Sequence, residues 1–390
     1  AVVMAYLPVT FIGWTELDAS GNEVRYTGLK AIRKRQEQQV SGTITPDVMQ
    51  EALEAYQRVY RQHDASSIND IPVEAFYKEL ARYQPLVNNA KEAFADSKTG
   101  MAPGVMGLTA EDMQNFYSQL PKRLESVIWL EQSGKPGYEQ AQAIAQKKFD
   151  AVQKPFTYSF GVSSDAMDYQ TLLSLLLTLL CAVIAAPVFA SDAQTGAQDI
   201  QLCTKNGGLR LAAAKLAAAF SITGAAYLLC GVVWILVTNA LFGWESTKTS
   251  VQWLFSVTSL LPYTVGQMEW IMLVTNFLIF FAEVAFVLMA SVWAKNNLTA
   301  LSVALISVVA PLIVYMVVPG SFGEWLSTLL PAGGIGLSNA LLYKMISFDF
   351  LYAGRHAFFQ ADVLLASAPV KIVLLVGLAA WGYLRKTKVA

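Results

Sequence analysis

The sequence predicts an all-α membrane protein: six transmembrane helices, a mostly helical extracellular domain, and re-entrant or interfacial helices before the last crossing. Three observations lead there. Of the 390 residues, 54% are hydrophobic and 15% charged, with a mean hydropathy of +0.41; soluble chains carry about 25% charged residues. The apolar residues gather into runs near the ~20 residues that cross a bilayer as a helix. The charges are partitioned, with 17 Lys/Arg and 21 Asp/Glu in residues 14–168 but only 11 and 8 in residues 169–390. This composition excludes a disordered chain and a small disulfide scaffold. The net charge of −1 gives no field to attract nucleic acid, so no nucleic-acid partner is expected.

Residues 1–13 form an apolar run too short to span ~30 Å of hydrocarbon at about 1.5 Å per residue. It reads as the outer end of a first span whose start precedes the sequence; the alternative is the tail of a signal peptide. Residues 14–168 read as the extracellular domain. Thr45-Pro46-Asp47 gives a cap, a proline at the first helical position and an acid in the first turn, and Met49, Ala52, Leu53, Tyr56, Val59 and Tyr60 then share one face. Thr109 opens a second helix carrying Met113, Phe116, Tyr117 and Leu120, which Pro121 should kink or end. Tyr138, Ala141, Ile144, Phe149 and Val152 mark a third. Ala19-Ser-Gly-Asn22 is a turn, and Thr157-Tyr-Ser-Phe160 reads as a short strand.

Residues 169–390 form the transmembrane domain, with spans at 169–190, 211–242, 270–293, 298–318 and 366–384. Val251–Leu261 and Phe322–Ala366 are apolar but broken by Pro, Gly and charge, and are read as the re-entrant or interfacial pieces. With the C-terminus inside, the inner short segments hold Lys205, Arg210, Lys215, Lys295, Arg385, Lys386 and Lys388. The outer short loops hold only Lys248, Lys344, Arg355 and Lys371. Both termini are then expected in the cytoplasm, and residues 14–168 outside.

The chain lacks a Gly-x-x-x-x-Gly-Lys-Ser/Thr loop, a Gly-x-Ser-x-Gly, a His-Glu-x-x-His and a Cys-x-x-Cys. No catalytic, cofactor-binding or metal-binding residue is therefore assigned, and the chain is read as non-enzymatic. His63 and His356 each stand without companions of ligand type. Glu283 lies near the middle of its span. It is either a substrate or gating contact, or a structural acid, neutral or hydrogen-bonded to Ser or Thr of a neighbouring helix. Glu269 and Gln267 read as interfacial, and Lys371 as a side chain that snorkels outward. Ala214, Ala218, Ser221 and Ala225 form a small-residue stripe read as packing within the protomer. Pro187 and Pro311 should kink their helices. Trp14, Trp244, Trp253, Trp270 and Trp325 read as interfacial anchors.

The segment 191–210 carries most of the functional reading. An acid at the membrane edge is followed by Thr195-Gly196, an amphipathic turn with Ile200, Leu202 and Cys203, a Gly207-Gly208 break, and the bases Lys205 and Arg210. It reads either as a short surface helix that ends at Gly207 and docks into a partner's groove, or as an ordinary loop with basic anchors. Its residues Phe189, Asp192, Gly196, Asp199, Leu202, Thr204, Lys205, Gly208, Arg210 and Lys215 resemble the signature of ABC exporter permeases of Gram-positive bacteria. The stretch Tyr26-Thr-Gly28-Leu-Lys-Ala31-Ile32 is similar to one found soon after span one in family members with a large outer domain. The chain departs from the pattern with Asp192 where Glu is commoner, Ala197 after the glycine, and Leu209 before Arg210.

The resemblance implies a permease of the bacterial cell membrane that exports an amphipathic substrate such as a peptide antibiotic, drug or lipid-like molecule. Its expected partners are two copies of an ATPase subunit, a second copy of itself or a related permease, and membrane lipid. ATP and magnesium would be held by the ATPase and no cofactor by this chain. Asp192, Gly196, Asp199, Lys205 and Arg210 would be the ATPase-coupling residues. The rival reading is a membrane-anchored sensor or assembly protein whose outer domain binds a ligand.

Overall fold

The computed structural model describes residues 1–18, 20 and 22–387. It is mostly helical, and among the described residues five helices are long and apolar enough to cross a membrane: Ser164–Thr195, Leu209–Phe242, Val265–Trp293, Asn297–Val317 and Gln360–Lys386. The chain is a multi-pass membrane protein by that measure. The turn expected at 19–22 falls partly on residues 19 and 21, and the anchor Lys388 at 388; all three lie outside the described residues.

In order, helix α1 (Val2–Thr10) leads into the hairpin β1 (Gly13–Leu17) and β2 (Glu23–Thr27), antiparallel with Gly13 opposite Thr27. The sequence reading did not include this hairpin: β2 alternates half-buried and exposed residues, but its apolar face is only Val24 and Tyr26. Helix α2 (Leu29–Gln38), strand β3 (Gly42–Thr43) and helix α3 (Pro46–Gln62) follow. In α3 the Thr45 hydroxyl accepts from the Val48 amide, and all six face residues are buried. Next come the short α4 (Val73–Ala75), then α5 (Gln84–Ala93), α6 (Ala110–Gln114), α7 (Phe116–Gln132) and α8 (Tyr138–Asp150). The helix opened by Thr109 breaks at Asn115 and the next one runs through Pro121, so the proline does not end it. Pro121 is the sixth residue of α7, one turn past its start, and the helix carries on to Gln132. Strand β4 (Thr157–Tyr158) pairs with β3.

The spans are α9 (Ser164–Ala185) continued by α10 (Pro187–Thr195), then after α11 (Ala197–Leu202) come α12 (Leu209–Phe242), α14 (Val265–Trp293) and α15 (Asn297–Val317). The four-residue α13 (Val251–Leu254) precedes α14. After α16 (Gly320–Leu329) and α17 (Leu341–Ile346), the hairpin β5 (Phe350–Ala353) and β6 (His356–Phe359) runs into α18 (Gln360–Thr387). Residues read as interfacial helix thus hold a β-hairpin, and the last helix starts six residues before the expected boundary. Helix α14 is the most enclosed and packs on α9, α12, α15 and α18. Aromatic rings fasten it to α12, with Tyr227 stacked on Phe280 at 4.5 Å and Phe220 edge-on to Phe281 at 5.1 Å. Helix α1 packs on α9 and α12.

The polar domain is seated on one end of this bundle by specific bonds. Gln36 Nε2 donates to the carbonyls of Phe160 and Phe242, and Thr249 Oγ1 to that of Ser159. Gln132 Nε2 donates to the Phe348 carbonyl while its Oε1 accepts from the Tyr352 hydroxyl. Glu92 accepts from Ser256 Oγ at 2.5 Å, and burial pushes its carboxyl above the usual range. Trp14 and Trp253, expected at the membrane border, are core residues at 7% and 6% exposure. Trp253 lies among Phe116, Phe156 and Tyr158. Trp244 and Trp270 are exposed, and Trp325 donates to the Tyr352 carbonyl.

Candidate functional site

At the opposite end of the bundle, residues 186–210 turn the chain from the α9–α10 span into α12. Pro187 has no amide, so the backbone here lacks a helical donor. Helix α9 stops at Ala185 and α10 starts at Pro187. A side chain of another span repairs the break: Ser291 Oγ, on α14, donates to the Ala186 carbonyl at 2.6 Å and accepts from the amides of Phe189 and Ala190 at 3.0 Å. Helix α10 then ends at Gly196, whose φ of +73° is the left-handed conformation that glycine adopts without a Cβ penalty.

The segment is tied to three long helices. Asp192 forms an ion pair with Lys215 of α12, and Lys215 also donates to the Val188 carbonyl. Gln194 Oε1 accepts from the Asn297 amide at the start of α15. Tyr383 of α18 donates to the Gly207 carbonyl at 3.1 Å, and Lys386 Nζ lies 3.5 Å from Gln198 Oε1. Asp192 is thus committed to the bundle, while Asp199, Lys205 and Arg210 are exposed, as is Gly196. Arg210 donates to Asn206 Oδ1. Ile200 is 74% exposed at the tip of α11. The short helix closes at Leu202 with Cys203 as its cap, not at Gly207. Gly207 instead makes a close approach: a Cβ there would lie 1.6 Å from the Gln201 carbonyl oxygen.

Within the spans, Glu283 is fully buried and accepts from Ser307 Oγ of α15, a bond to a neighbouring serine; its other oxygen has no partner among the described residues. Lys371, expected to reach outward, instead donates to the carbonyls of Thr328 and Leu330 at 2.9 Å each, capping the C-terminus of α16. Glu269 is not interfacial. It is fully buried and accepts from Asn239 Nδ2 of α12 at 2.7 Å, while its backbone carbonyl accepts from Gln170 of α9. The reading from sequence placed Glu269 by its nearness to the span's end. Asn239, thirty residues away, was the signal that a partner waited in the adjacent helix.

The small-residue stripe is also corrected: Ala214, Ala218, Ser221 and Ala225 are exposed, and α12 buries Ala212, Leu216, Ala219, Thr223 and Tyr227 instead. Among the described residues no group of three or more His, Cys, Asp or Glu side chains is placed to hold a metal ion. Comparison with models of known protein families, with curated proteins and with solved structures finds no match in any of the three.

Proposed function

We propose that the chain is the permease subunit of an ATP-driven exporter of the bacterial cell membrane, moving an amphipathic substrate outward. A separate ATPase, in two copies with ATP and magnesium bound, grips residues 191–210, and a second copy of this chain or a related permease completes the pathway. The observation that carries this reading is the build of the segment. Two short helices at the bundle end opposite the polar domain are fastened to α12, α15 and α18, yet α11, the turn after it and the first turn of α12 present Asp199, Ile200, Lys205 and Arg210 to solvent. A tip that is rigidly held and outwardly amphipathic suits a docking helix, because a push on it reaches the long helices instead of bending a loose loop. Under this reading residues 14–168 lie outside the cell and both termini inside.

Two experiments test it. The exposed native thiol of Cys203 reports sidedness. An impermeant maleimide should leave it unlabelled in intact cells and label it after permeabilisation, with Cys203→Ser as the control; labelling in intact cells overturns the reading. The chain co-expressed with the ATPase from its own source should co-purify with it in detergent. The Asp192→Ala/Arg210→Ala pair should lower substrate-stimulated ATP hydrolysis with expression intact. Failure to recover any ATP-hydrolysing subunit sinks the exporter and favours a sensor whose polar domain binds the ligand.

A further inference from the structure

A cavity of about 750 Å³ opens where the polar domain meets the spans. One wall is α8, with Ile144, Lys147 and Lys148; the others are the loop before α14, the hairpin strand β6 and the first turns of α18. Its floor is apolar, with Leu261, Ile271, Phe358, Val363 and Leu365 among the lining residues. Its charge is confined to the rim. Lys148 is bonded to Asp362 at 2.9 Å and lies over the Phe359 ring, so that pair is internally balanced. Lys147 is exposed and forms no ion pair among the described residues, leaving one uncompensated cation over an apolar hollow.

The hollow is continuous with the membrane-facing surface. Ala366 lines it, and Ala366, Val370, Val373, Gly377 and Trp381 follow at helical spacing on one exposed face of α18. At about 1.5 Å per residue this apolar lane is about 22 Å long. A soluble ligand would meet water at the rim and have no use for the lane. A bilayer lipid fits both parts, with its chain along α18 and in the hollow and its phosphate on Lys147.

We propose that this cavity is a binding site for an anionic phospholipid of the surrounding bilayer. The site is independent of whether an ATPase drives the chain. The test uses the full chain in nanodiscs with phosphatidylglycerol or phosphatidylcholine carrying a photoreactive group in the acyl chain, and peptide mapping of the labels. Phosphatidylglycerol should label β6 and the first turns of α18 about five-fold more than phosphatidylcholine, the factor one surface cation contributes. Lys147→Gln should remove that preference, and Val363→Trp, which fills the hollow, should abolish labelling there while leaving labels at Val373 and Leu374. Equal labelling by the two lipids, an unchanged preference in Lys147→Gln, or labels found only on the open face of α18 overturns the proposal.

Discussion

Replacing Asn239 by Leu tests how the spans are held together. The side chain is fully buried in α12 and, among the described residues, supplies the only side-chain hydrogen bond that the Glu269 carboxyl receives, at 2.7 Å, while its second oxygen has no partner among them. Leu has the same branched outline with bulkier ends, so the change removes a donor without leaving a void. A typical side-chain hydrogen bond contributes about 0.5–1.5 kcal/mol in soluble proteins. Interhelical pairs in membranes average about 0.6 kcal/mol and reach about 1.7. Because Glu269 is enclosed on every side, the upper membrane value applies: about 1.7 kcal/mol, or roughly a twenty-fold shift in the folding equilibrium. The assay is reversible unfolding in mixed micelles for Asn239→Leu, Glu269→Leu and the double variant. Breaking the pair from one side strands a buried polar group, whereas removing both partners leaves apolar contact between α12 and α14. The double variant should therefore be no less stable than Asn239→Leu alone. Costs that add to within about 0.4 kcal/mol would show that the two side chains do not interact and refute the argument.

Three further outcomes follow from the geometry. Gly161→Ala places a Cβ 2.0 Å from Ser246 Cβ at the seam between the polar domain and α12; it should cost about 1–3 kcal/mol in thermal unfolding, and Ser246→Gly in the same chain should recover part of it. Burial raises the Glu92 carboxyl, so folding favours its neutral form and its contribution to stability falls as pH rises above the ordinary carboxylate range. Glu92→Gln should thus gain on the parent in melting temperature from pH 4.5 to 8, at about one pH unit per step, and a constant difference would remove Glu92 from the account. Gly207→Ala meets the Gln201 carbonyl at 1.6 Å, which no rotamer relieves; tryptic cleavage after Lys205 should quicken while the polar domain's cleavage pattern stays the same.

The spans were legible because bilayer-length apolar runs are a one-dimensional signal: each of the five long helices covers one of the expected runs. Helix α3 was equally plain, its cap, proline and apolar face all agreeing. What the sequence hid is pairwise. Strands β2 and β6 alternate, but over only five and four residues, and β5 is buried almost throughout, so neither hairpin offers a run long enough to announce a half-buried strand. Trp14 and Trp253 look like membrane-border residues until the polar domain is folded over them. The exposed and committed members of the segment 191–210 separate in the same way. Asp192 and Asp199 are alike as letters, and only the position of Lys215 on the next helix decides which one faces outward. The α12 stripe fails for a related reason: small residues mark where helices can approach closely, not which neighbour does so.

The hydroxyl of Ser291 serves a joint that belongs to another part of the chain. The break at Pro187 would by itself be a soft elbow, free to take a range of angles. Pinned from α14, it keeps one angle only while the two helices hold their relative rotation. Turning α14 about its axis by a fraction of a helical turn would withdraw the pin and leave the angle at Pro187 to the ties that α10 makes with α12 and α15. Part of the steering of that rod is therefore lodged in its neighbour, at one hydroxyl.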